Sequence, residues 1–205
     1  MVTLEERIVR FCAPVLTGIK TGGLFNTCEL DPHTICQDTV AVRKRLSRFG
    51  INVRLFFTGE KMPLVYVYRP DALARDLADP ETQAFLTPLG YTDFSYQAAL
   101  SQLAKRLHQY DGFPHEIGLF LSYPLDDVKS FVQFGSQCAK FSGHWCVFHN
   151  EEQAKKCLQR TTTAGRYVSP VIGKGSLLKR WPAQSDRRKE MHISESCDCI
   201  LERHW

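Results

Sequence analysis

The sequence has no apolar stretch approaching the roughly 20 residues that cross a bilayer. Its opening residues carry Glu5 and Glu6 where a signal peptide would have an unbroken apolar run. Neither a membrane association nor export is expected, and a cytoplasmic location is. An excess of one charge is missing too: 26 Lys and Arg stand against 22 Asp and Glu, a net charge of +4. Most of that excess follows residue 160, where eight Lys or Arg meet five Asp or Glu, so residues 1–160 are nearly neutral. The best basic cluster, Arg43, Lys44, Arg45 and Arg48, shares its stretch with Val42, Leu46 and Phe49. That is the pattern of a solvated helix face, and no nucleic-acid partner is expected. With no export signal, the 8 cysteines are expected to be reduced thiols, not a disulfide framework.

What remains is an ordinary globular composition, 43% apolar and 23% charged over 205 residues, enough for one domain with a real core. Thr3 to Glu6 has capping-box spacing, with Leu4, Ile8 and Phe11 at helical intervals behind it; this predicts a helix ending near Cys12 and stopped by Pro14. Gly18 to Pro32 reads as a structured loop anchored by Leu24 and Phe25. Asp38 is placed to cap the next helix, which Gly50 ends. Ile51, Val53, Leu55 and Phe57, followed after a short link by Leu64 to Tyr68, predict a β-hairpin.

Pro70 and Pro80 suit first helical turns, and Tyr96, Leu100, Leu103, Leu107 and Tyr110 make the stripe of the longest helix. Pro114 and Pro124 each start a further helix, the second with Val128, Phe131 and Val132 inward. Trp145 to His149 is a strand candidate and Glu151 to Arg160 a last helix. The fold class is α+β: a small sheet, hairpin plus a further strand, packed with several helices in a single domain over residues 1–160. Residues 161–205, rich in Ser, Gly, Pro and charge without apolar period, read as an irregular, poorly ordered tail.

Three stretches carry a family likeness: Phe11 to Asn26 (FCAPVLTGIKTGGLFN), Phe113 to Val128 (FPHEIGLFLSYPLDDV) and Ser142 to Phe148 (SGHWCVF). Over about residues 4–160 the chain resembles the bacterial domain-of-unknown-function family 3793, found mostly in anaerobic Firmicutes. The resemblance implies a cytoplasmic protein of anaerobes, linked by association with iron, redox and flavodoxin metabolism, and brings no activity with it. Cys146 stands where the family pattern has a lysine, and after Arg160 only Lys174 to Leu178 matches.

The chemistry-bearing residues fall into a few groups. Gly18-Ile19-Lys20-Thr21 lacks the glycine before lysine and the preceding strand of a phosphate loop, yet a glycine-rich loop can hold an anion on backbone N–H groups with Lys20 as the charge. His115-Glu116 opens like a zinc-protease motif, but position 119 is leucine, not histidine. Cys138, His144, Cys146 and His149, and separately Cys28, His33 and Cys36, have metal-ligand chemistry; strand alternation splits the first set, and unliganded thiols are the expectation for both. Asp126 and Asp127 suit a helix start.

The expected site is a pocket for a small anionic ligand or unidentified cofactor, made where the Lys20 loop and the His115 turn meet. Lys20 supplies charge, Thr21, Gly22, Gly23 and Asn26 line the loop side, and His115, Glu116 and Tyr123 line the other. A binding or accessory role follows. The rivals are a cysteine-dependent hydrolase or transferase using Cys12 with His115, and a structural interaction domain marked by an exposed apolar patch.

Overall fold

The computed structural model describes residues 2–28, 30–58, 61–109 and 113–135, and two short strands beyond them. Helix α1 spans Leu4–Leu16 behind a complete capping box: the Thr3 hydroxyl accepts from the Glu6 amide and the Glu6 carboxylate from the Thr3 amide. The helix runs past the expected end at Cys12, because Cys12 forms a kink and Pro14 falls in the first turn of what continues, where its missing N–H costs nothing. Strand β1, Gly22–Asn26, follows. Helix α2, Ile35–Leu46, starts three residues before Asp38, whose carboxylate accepts from the Thr34 hydroxyl at 2.7 Å; Gly50, at φ 67°, ends the stretch as expected.

Strands β2, Asn52–Thr58, and β3, Lys61–Tyr68, form the hairpin, and the antiparallel sheet has the order β1-β3-β2. Helices α3, Pro70–Leu77, and α4, Pro80–Leu86, both begin on proline. Helix α5, Tyr96–Gln109, α6, Ile117–Phe120, and α7, Leu125–Phe134, complete the helices among the described residues. Strands β4, Phe141–Ser142, and β5, Cys146–Val147, pair separately. This is a small α+β fold. The helix expected at 151–160, the side chains of Cys138, His144, Cys146 and His149, and the tail from 161 lie outside the described residues.

Two cores flank the sheet. Val53, Val65, Val67 and Phe25 face α1 and α2, while Phe56, Tyr66 and Tyr68 face α3, α5, α6 and the start of α7. The alternation of Val and Tyr along β3 writes both faces at once. Each fully buried aliphatic side chain contributes roughly 1.5–3 kcal/mol. Phe57, expected inward, is 57% exposed because the register with β3 slips between Phe56 and Thr58 and turns it out. Val132 is likewise exposed; the buried side of α7 runs through Asp127, Val128 and Ser130, and Val132 and Phe134 lie in its outward last turn.

The Gly18 to Pro32 stretch is a strand over its middle, not a loop throughout. Gly22 lies opposite Tyr68 and Asn26 opposite Leu64. Within the basic cluster of α2, the Arg43 Nε donates to the Val53 carbonyl at 2.9 Å and covers the outer edge of β2, and Arg45 pairs with Glu5.

Candidate functional site

The loop after α1 closes on itself. The amides of Thr17, Gly18, Ile19 and Lys20 donate to the carbonyls of Ala13, Val15, Pro14 and Pro14, and the Thr21 amide donates to the Ser122 Oγ at 2.6 Å. An anion cradle needs free N–H groups converging on one point, and these are already used. The amides of this loop are committed to the protein's own acceptors, and the charge of the expected anion site is left to the Lys20 side chain.

That side chain reaches across to the second motif. Lys20 Nζ lies 4.2 Å from the centre of the Tyr123 ring, both residues being half-buried. No carboxylate among the described residues stands within ion-pair distance of Lys20. A cation over an aromatic face at a partly exposed site is worth about 0.5–1 kcal/mol, much less than a desolvated ion pair, so the ammonium keeps most of its capacity for an anion.

The same seam explains the glycines. A Cβ on Gly22 would lie 2.2 Å from the Phe120 carbonyl oxygen and 2.5 Å from the Tyr66 hydroxyl; one on Gly23 would lie 2.9 Å from the Cys12 Sγ. The space expected to admit a ligand at these positions is filled by the protein's own backbone and side chains, so their role is close packing. The fully buried Tyr66 donates to the Phe120 carbonyl at 2.7 Å, and burial pushes its hydroxyl pKa up. Ser122 holds a left-handed φ of 66°, unusual outside glycine, which aims its hydroxyl at Thr21.

Thr21 in turn donates to Asp76 of α3 at 2.6 Å, and burial of that carboxyl raises its pKa against the lowering effect of the hydrogen bond. Arg69, at the start of α3, donates to the Val15 and Leu16 carbonyls, both at 2.8 Å, and so caps α1. Burial lowers its pKa.

Three expected site residues are turned elsewhere. Asn26, at the far end of β1, accepts from Arg7 on its carbonyl and side chain at 3.1 and 3.3 Å; Arg7 itself is buried, with its guanidinium over Phe11. Glu116 is buried, pairs with Arg106, and accepts from the Tyr91 hydroxyl at 3.3 Å. His115 presents its ring edge-on to Phe131 of α7 at 5.0 Å, and burial lowers its pKa while the Glu116 charge opposes that.

Cys12 is completely buried, and desolvation pushes its thiol pKa far up, the reverse of what a nucleophile needs. Among the described residues no group of three or more His, Cys, Asp or Glu is arranged to hold a metal, Cys28, His33 and Cys36 included. No helix among them is long and apolar enough to cross a membrane. Sequence reasoning missed Asp76, Ser122 and Arg69. The Pro after Arg69 marks a helix start, but nothing local marks the other two.

The family model described as "Protein of unknown function (DUF3793)" matches residues 8–180, well over half of the chain. The chain belongs to that family. The DUF3793 match runs past Arg160 and takes in Lys174 to Leu178, so the family likeness extends further toward the C-terminus than the three motifs alone indicate. No curated protein matches the chain. No solved structure matches it either. The seam joining the first two motifs of this DUF3793 chain is thus described from its own geometry.

Proposed function

We propose that this DUF3793 protein is a cytoplasmic binding or accessory protein for a small anionic ligand or cofactor, with Lys20 and Tyr123 as its contact pair. The observation that carries the reading is the half-buried Lys20 ammonium, held over the Tyr123 ring with no carboxylate of the described residues beside it. A lysine is a point charge that suits carboxylate or phosphate alike, and the ring offers a planar face to the rest of the ligand. The link to iron or redox metabolism in anaerobes rests on the family resemblance and belongs to the same proposal. A cysteine-dependent hydrolase or transferase is the weaker reading, since the Cys12 thiol is inaccessible.

Titration calorimetry with inorganic phosphate and with acetate at constant ionic strength tests the proposal. Binding of one of them is expected in the native protein and at least a tenfold loss in Lys20→Gln; equal binding by the variant overturns it. A second reading, an interaction domain, is favoured by Phe57 and Met62, 57% and 54% exposed on neighbouring strands. It expects neither anion to bind.

A further inference from the structure

Resting on that anion-site reading, we propose that the ligand regulates the fold locally: an anion on Lys20 clamps residues 113–123 onto the β1 edge. The two halves of the contact come from different parts of the molecule. Lys20 follows α1, whose side chains belong to the aliphatic core, whereas Tyr123 packs with Phe120 and Leu121 in the aromatic one. Between them the seam is closed by polar fasteners: the Thr21 amide to Ser122, the Tyr66 hydroxyl to the Phe120 carbonyl, and the close approach of Gly22 to that same carbonyl.

Of these fasteners, the part-buried Thr21–Ser122 bond opens most readily, because water replaces it as it breaks, whereas the Tyr66 bond is buried. A ligand that touches both Lys20 and Tyr123 finds its complete site only when the seam is closed. It therefore favours the closed state by the factor one plus its concentration over its dissociation constant. Among the described residues Lys20 has no carboxylate to give up on binding, so the anion's charge interaction adds to the closed state without displacing one of their ion pairs. The left-handed Ser122 belongs to the same closure, since its hydroxyl meets Thr21 only when the 120–123 turn is docked.

Hydrogen exchange read by mass spectrometry on the full chain tests the coupling, with whichever of phosphate and acetate binds the more tightly as the probe. At twenty times the measured dissociation constant, exchange in peptides covering Thr21 and residues 117–123 is expected to slow by about twentyfold. Peptides of α4, which takes no part in the seam, should be unchanged. Lys20→Arg should keep the effect and Lys20→Gln lose it. An anion that binds yet leaves the seam peptides unchanged, or slows α4 equally, overturns the clamp while leaving the anion site standing. If neither anion binds at tens of millimolar, both readings fall.

Discussion

On one face of β3, Val65 and Val67 pack with Val53 and Phe25 against α1 and α2; on the other, Tyr66 stacks on Tyr68 with ring centres 5.0 Å apart, under α5 and α6. The first core is mostly aliphatic and depends chiefly on volume and shape, with a buried charge, Arg7, that donates to Asn26. The second buries hydroxyls and charges that must each find a partner. Tyr66 finds the Phe120 carbonyl, Tyr91 finds Glu116, and Glu116 finds Arg106. The candidate site lies on the border between the two, where a polar seam attaches the α6 stretch to the sheet. The aliphatic face thus supplies a rigid platform, and the aromatic face places directional bonds that fix one arrangement of the 113–123 segment.

The sharpest way to break this contrast is to remove the acceptor at the centre of the second core. Glu116→Ala leaves the Arg106 guanidinium and the buried Tyr91 hydroxyl without their shared carboxylate. Burial and the Glu116 charge both push the Tyr91 pKa up, so that hydroxyl stays protonated and requires an acceptor. Breaking a buried pair in this way costs about 3–5 kcal/mol. Urea denaturation should show a loss of that size, and a loss below about 1 kcal/mol would mean the pair is no more than a surface ion pair.

Next in size is the seam itself. In Gly22→Ala the new methyl meets backbone at Phe120, which cannot swing aside as a flexible side chain would. The 120–122 turn must move off β1, at a cost of roughly 1–3 kcal/mol as for other overpacked sites. The measurement is thermal unfolding together with proteolysis of the 113–123 stretch. Unaltered melting and unaltered cleavage would show that the approach is looser than the geometry states.

Much of the fold was legible because its signals are local. The Thr3 to Glu6 capping box, Gly50 beyond α2, Pro80 at the start of α4 and the β2–β3 alternation each name an element without reference to the rest. Strand β1 was not legible. Its two glycines and terminal Asn26 are poor strand formers, and it is extended only because β3 offers a free edge and because Cys12 and Phe120 demand backbone without side chains. Of the candidate site, Lys20 and Tyr123 were expected to lie near each other, and their side chains are in contact. What the glycines admit was not legible, since filling a space is a property of neighbours distant in sequence. Asn26 and Glu116 look like site residues for the same reason that they are useful structurally: both are good partners for arginine, and Arg7 and Arg106 had no local mark to claim them.

The smallest expected effect concerns pH, and it again separates the two sides of the seam. Burial holds the His115 pKa below its ordinary 6.5, against the opposing charge of Glu116. As pH falls below 6.5 the unfolded chain binds a proton that the folded chain resists, so stability conferred by the neutral ring, complete at higher pH, drains away until the folded pKa is passed. Asp76 works in the opposite sense. Its carboxyl pKa is raised above 3.8, so the folded chain takes up that proton first and gains stability as acidity increases toward that value. In His115→Gln the urea midpoint should therefore decline less than the native protein's between about pH 8 and about pH 5, the window around the ordinary histidine pKa. Because the comparison is a difference between two chains identical elsewhere, other titrating groups cancel. Parallel curves would show that the ring is solvated when folded, and that the edge-on contact with Phe131 leaves its protonation untouched.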